Sequence, residues 1–135
     1  LFNIGIEPFL VSGAVNGVLA QRLVRRICPD CRETIQISDE CQSMMDQYEM
    51  SCESLHEGTG CANCRASGYS GRLGIYEMLE MSDSLRDAVA SSPSVTEFRQ
   101  QCLNEGMRSL RADAIRKMVD GHTTMQEVLR VTDGN

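Results

Sequence analysis

Apolar residues recur at helical spacing near the start of the chain. Phe9, Leu10, Ala14, Val18 and Leu19, with Val11, Val15, Val24 and Ile27 widening the stripe, predict a helix over residues 9–27. So broad an apolar surface is more than a lone helix can hide, and it predicts a partner that covers it. Arg22, Arg25 and Arg26 crowd the end of this segment, where they would complement a helix dipole; an anion or partner contact is the other reading. The chain opens on Leu1-Phe2-Asn3-Ile4 without an initiator Met, as if cut from a longer protein.

Further along, Ser38 before Asp39 and Glu40 predicts a short helix whose apolar side is Met44, Met45 and Tyr48. The run Leu73 to Leu79 is the one segment that reads as a strand, with Ile75 and Leu79 on one face. Ser82 then caps a helix that buries Leu85, Ala88 and Val89. Ser94-Val95-Thr96-Glu97 is a capping box for a helix carrying Phe98, Cys102 and Leu103 inward and stopping at Gly106. Leu110, Ala114, Ile115, Met118 and Val119 mark another helix, ended by Gly121. Thr124-Met125-Gln126-Glu127 forms a second capping box before a last helix with Val128 and Leu129. The pattern gives an α+β fold that is mainly helical, with the methionines as core filler.

Two knuckles change this picture. Cys28-Pro29-Asp30-Cys31 and Cys61-Ala62-Asn63-Cys64 have the C-x2-C…C-x2-C spacing that lets four thiolates surround one zinc ion, with 29 residues looped between them. Gly60, Gly68 and Gly71 supply backbone freedom beside the second knuckle. Structural zinc on Cys28, Cys31, Cys61 and Cys64 is the leading reading. Redox pairs, an iron–sulfur cluster and unrelated buried thiols are the alternatives. A thioredoxin-type dithiol needs a helix start after a strand, and neither knuckle is expected to follow one. Cys41, Cys52 and Cys102 remain; free thiols in that proportion suggest a reducing compartment. Cys52 and His56 could join a metal site if their stretch were helical, but the knuckles already fill four positions, and His122 reads as an exposed loop histidine.

Composition narrows the function. With 135 residues, 41% hydrophobic and 24% charged, the chain has an ordinary globular composition and room for one modest core or two small ones. A net charge of −6 argues against a nucleic-acid binder. No apolar run is long enough to span a membrane and no signal peptide is visible, so a cytoplasmic location without direct membrane insertion is expected. No catalytic constellation is present. A P-loop needs G-x-x-x-x-G-K-[ST], yet the only lysine, Lys117, lies in a helical segment away from any Gly-rich loop. The acidic residues fall on helix starts and faces, where solvated charge is expected.

Several stretches together carry a resemblance: Ile6-Glu7-Pro8-Phe9-Leu10, Leu19 through Arg26, both knuckles, Gly68 through Glu77, Gly106-Met107, and Thr123 through Arg130. Nearly the whole chain resembles the C-terminal part of the type II secretion ATPase, of the secretion and type IV pilus assembly ATPase family. The resemblance implies a cytoplasmic motor, peripheral to the inner membrane, that works as a homohexameric ring and hydrolyses ATP with Mg2+ to drive pseudopilus assembly. Its partners would be neighbouring subunits and inner-membrane platform proteins. It further implies that residues 1–27 end a RecA-like ATPase core, residues 28–72 form a tetracysteine zinc-binding subdomain, and residues 73–135 form a C-terminal helical subdomain. The phosphate-binding loop, the acidic magnesium and catalytic boxes and the histidine box of that family have no counterpart here, so the chain alone is expected to be inactive. The wording Gly74-Ile75-Tyr76-Glu77 leans toward the secretion branch over the pilus branch. A free-standing zinc-dependent interaction module is the rival reading, and it should not expose the apolar surface of residues 9–27.

Overall fold

The computed structural model describes residues 4–133, so Leu1-Phe2-Asn3, on which the reading of the chain start partly rests, and residues 134–135 lie outside the described residues. The stretch from 9 to 27 is two elements rather than one helix. Helix α1 covers Pro8–Ala14 and strand β1 covers Gly17–Ile27. Pro8 suits a first helical turn because its ring fixes φ, and the chain leaves the helix at Val15 with φ −82° and ψ 121°. Asn16-Gly17 then interrupts any continuation, since both residues are poor helix formers. Val18, Val24 and Ile27 are β-branched and favour the extended backbone that follows. Apolar positions are dense enough in this stretch to satisfy a helical period across a real break. The arginines expected at a helix end therefore sit on a strand.

Strand β4, Tyr69–Glu80, contains the expected strand and extends it at both ends. Leu73, Ile75, Glu77 and Leu79 turn inward while Tyr76, Met78 and Glu80 are exposed, so Ile75 and Leu79 share a face as expected. β4 pairs with β1 in a two-stranded sheet. A second ribbon was not legible in the residue pattern: β2, Arg32–Ile35, pairs antiparallel with β3, Leu55–Gly58, from Arg32 opposite Gly58 to Ile35 opposite Leu55. Each of its strands has four residues, too few for alternation to stand out. Between them lies α2, Asp39–Gln47, capped by Ser38 and burying Cys41, Met44 and Met45.

The chain forms two compact units that are not contiguous in sequence. One comprises the chain through Ala20 together with Glu77–Ser109; the other comprises Gln21–Tyr76 together with Leu110 onward. In the first unit, α3 (Asp83–Ala90) packs against α1 and α4 (Val95–Asn104). Arg86 ties α1 down: its guanidinium donates to the carbonyls of Ser12 at 2.6 Å and Val15 at 3.1 Å, which a helix end leaves without partners. The capping box at Ser94 and Glu97 forms as expected. Leu103 does not turn inward and is exposed, because Cys102 occupies the buried line of α4. Among the described residues only Leu85, Val89 and Cys102 are buried apolar residues of this unit, while Phe9 is 65% and Val95 85% exposed.

The second unit holds the larger core. Met45, Ile75, Ile115, Met118 and Val128 are fully buried there, and α5 (Leu110–Val119) packs against α6 (Met125–Thr132). Two of its acids are buried, against the expectation of solvated charge, because each meets donors. Asp113 accepts the Tyr76 N–H at 2.9 Å and lies 3.6 Å from Lys117 Nζ. Glu127 is engaged by two arginines. Among the described residues no helix is long and apolar enough to cross a membrane.

Candidate metal centre

β1 and β2 flank the first knuckle directly, and the turn that carries Cys61 and Cys64 lies between β3 and β4. β1 ends at Ile27 and runs into Cys28, so the first knuckle does follow a strand. It leads into β2 with no helix start, so the arrangement a thioredoxin-type dithiol needs is missing. The β2–β3 ribbon then returns the chain to the first knuckle: the Thr59 N–H donates to the Cys31 carbonyl at 3.1 Å and the Gly60 N–H points at Cys31 Sγ at 3.3 Å. The second knuckle closes on itself, with the Ala66 N–H on the Cys61 carbonyl at 2.8 Å and left-handed backbone at Arg65 and Ala66. β4 begins immediately afterward.

The four sulfurs expected as ligands are brought together. Sγ atoms of Cys28, Cys31, Cys61 and Cys64 all lie within 4.8 Å of one another. Cys28 and Cys61 are 3.9 Å apart, Cys31 and Cys64 3.8 Å, and Cys61 and Cys64 3.7 Å. Zinc–sulfur bonds of ~2.3 Å arranged as a tetrahedron give edges of ~3.8 Å, so the spacing fits one shared cation. All four cysteines are free, which separates the cluster from a disulfide pair. Asn63 Nδ2 donates to Asp30 Oδ2 at 3.1 Å and links the two knuckles outside the sulfurs.

Electrostatics act on two of the cluster's thiols in opposite directions. The Cys61 N–H acts most strongly on Cys64, burial opposes it, and the Gly68 N–H adds to it, so that thiol is held down at about 6. Burial acts most strongly on Cys31, and with the neighbouring sulfurs it outweighs the Gly60 N–H and pushes that thiol up to about 11. Four thiolates within 4.8 Å repel one another, and a divalent ion is what lets all of them ionise together.

The remaining candidates are not part of this cluster. Cys52 Sγ lies 3.9 Å from Met45 Sδ, and His56 is on β3, so the helical Cys52–His56 pairing does not exist. Cys41 and Cys102 are buried, and burial raises both thiols, as fits apolar packing. His122 is exposed, as expected, and it is its main-chain carbonyl that accepts the Ile27 N–H at 3.0 Å.

Glu127 is the residue that sequence reasoning misplaced. Thr124 caps α6, yet the Glu127 carboxylate does not return to it. It accepts the Arg25 N–H at 2.8 Å, the Arg25 guanidinium at 2.9 Å and Arg130 at 2.7 Å. Burial alone would raise this carboxyl; the bonds from Arg130 and then Arg25 outweigh it and hold the group at about 2. Arg25 also lies 4.1 Å over the Tyr69 ring, and the Tyr69 hydroxyl meets Thr124 Oγ1 at 2.7 Å. Arg22 donates to the Val131 carbonyl at 2.8 Å. Two of the three arginines are thus used within the chain.

Comparison with known proteins identifies the family of this scaffold. The type II/IV secretion system protein family matches residues 1–130. The type IV pilus assembly ATPase PilB of Myxococcus xanthus is 41% identical over 133 residues, which are 96% of this chain and 23% of that protein. Type II secretion system protein E of Pseudomonas aeruginosa is 40% identical over 132 residues, 98% of this chain and 26% of the relative. Type II secretion system ATPase E of Vibrio cholerae is 40% identical over 136 residues with the same shares. The chain therefore spans 23% to 26% of the length of these curated relatives. With a match that runs through both knuckles and both compact units, the chain belongs to the type II/IV secretion system protein family.

Proposed function

We propose that this chain is the C-terminal part of a cytoplasmic motor ATPase that assembles pseudopili for type II secretion, and that Cys28, Cys31, Cys61 and Cys64 hold a structural zinc ion in it. The observation that carries the metal reading is the gathering of four free thiols, from two knuckles separated by 29 residues, within 4.8 Å of one another. In this reading residues 1–27 end a RecA-like core, residues 28–72 are the zinc-binding subdomain and residues 73–135 the C-terminal helical subdomain. ATP and Mg2+ would bind elsewhere in the whole protein, which would work as a homohexameric ring against inner-membrane platform proteins. Zinc would supply no chemistry to hydrolysis. It would cross-link two segments of the chain.

The pilus branch is the second reading, supported by a pilus assembly relative at 41% identity beside secretion relatives at 40%. A free-standing adaptor is disfavoured by the exposure of Phe9, Leu10, Val18 and Leu19, which a self-contained module would cover. Metal analysis tests the core of the proposal. The purified chain should carry about one zinc per molecule, and Cys61→Ser should abolish stoichiometric binding. Full occupancy in Cys61→Ser, or a brown iron-containing protein, would overturn it.

A further inference from the structure

Beyond its four thiols, the metal centre leans on one close approach of two backbones. Gly68 offers its N–H to Cys64 Sγ at 3.2 Å and its carbonyl to the Cys28 N–H at 2.9 Å, so a single residue braces both knuckles. It does so in left-handed conformation, φ +80°, with Gly58 directly behind it. A Cβ built on either glycine would fall inside 3.0 Å of the carbonyl oxygen of the other. Gly58 is the last residue of β3, and the two residues after it hold Cys31: Thr59 by its carbonyl and Gly60 by its sulfur.

We propose that Gly58 and Gly68 are positioning residues that set the metal affinity of the four-cysteine site; the inference rests on the zinc reading above. A side chain at either position forces the two backbones apart. That displacement draws Gly68 away from Cys64 and Cys28, and it draws Gly60 away from Cys31. Both knuckles lose N–H donors that stabilise thiolate sulfur, and the sulfurs lose their common spacing. Groups that orient ligands without touching the ion commonly govern affinity in this way.

Gly71 provides the control. Its backbone is also left-handed, φ +77°, but a Cβ there meets nothing nearer than Arg26 Cδ at 3.8 Å. Gly71→Ala therefore strains the backbone three residues further on without pushing β3 away. Zinc affinity would be measured by competition with a chromophoric chelator on the whole chain, and cobalt(II) substitution would report the thiolate charge-transfer band and the tetrahedral ligand field. Gly68→Ala and Gly58→Ala should each weaken zinc about 10–100-fold and alter the cobalt spectrum, while Gly71→Ala leaves both unchanged. Gly58 is not left-handed, so Gly58→Ala carries the test if Gly68→Ala fails to fold. Parent-like affinity in both variants, or equal weakening in Gly71→Ala, overturns the inference alone. A parent chain that binds no metal overturns the zinc reading and this inference together.

Discussion

Glu127 shows how one residue can satisfy a local rule and a tertiary one at the same position. Three residues after Thr124 it completes the pattern of a capping box, and Thr124 does cap the helix. The carboxylate goes to Arg25 and Arg130 because β1 passes close enough to offer a main-chain N–H and a guanidinium at once. Its side chain is fully buried, while Arg25 and Arg130 remain 44% and 52% exposed, so solvent screens part of the attraction. Glu127→Gln should cost about 1–3 kcal/mol, read from urea unfolding at neutral pH. The folded carboxyl lies below its ordinary value of 4.5, at about 2, so its contribution is complete above 4.5 and is lost as pH falls from there toward 2. The stability gap between parent and Glu127→Gln should therefore close across that window. Because both chains carry the same thiols, their acid titration cancels; a gap independent of pH would show that Glu127 acts by shape alone. In the core, Met45 is fully buried, and Met45→Ala should cost about 2–5 kcal/mol on the same scale.

Elements connect the metal centre to more of the chain than its neighbours in sequence. From the order of residues alone, a chelator is expected to loosen residues 28–72 and spare the helices after Ser82. The packing divides those helices differently. α5 and α6 belong to the unit that contains the knuckles, whereas α3 and α4 belong to the other. Tyr69, the first residue of β4 after the second knuckle, reaches the cap of α6 through Thr124. The Ile27 N–H before the first knuckle donates to the His122 carbonyl at 3.0 Å, just upstream of α6. Hydrogen exchange before and after chelation should show protection falling in β2, β3 and the first turn of α6 while α3 and α4 hold theirs. Uniform loss over all helices would mean that the metal supports the whole fold, and loss confined to the ribbon would deny the link through Tyr69.

For the whole molecule, the thin core of the first unit matters most. Its buried apolar set among the described residues is Leu85, Val89 and Cys102, and Phe9, Leu10, Val18 and Leu19 are open to solvent. Such a surface suits a segment of a larger assembly, as proposed above. The isolated chain should neither bind ATP tightly nor hydrolyse it, since no Gly-rich loop offers an amide cradle for phosphates; micromolar binding by calorimetry would contradict this. If the motor reading proposed above holds, Cys28→Ser or Cys64→Ser in the whole ATPase should impair export more than basal ATP turnover, at matched expression and with nucleotide binding intact. An equal fall in both would mean that the metal region works through the catalytic ring, and unaltered export would mean that it is dispensable there.

Local spacing by itself determined the four thiols, the caps at Ser38, Ser82, Ser94 and Thr124, and the buried lines of α2, α3 and α5, because knuckles and helix ends are recorded within a few residues. The resemblance carried by longer stretches of the chain gave the family. Tertiary structure alone decided that residues 17–27 are extended, since a strand takes its hydrogen bonds from a partner some 50 residues away whose presence no local period reports. It alone decided the β2–β3 ribbon, whose strands are too short to show alternation, and the burial of Glu127, whose partner Arg25 is distant in sequence. The approach of Gly58 to Gly68 belongs with these. A glycine in sequence announces freedom, and only the backbone facing it shows what that freedom is for.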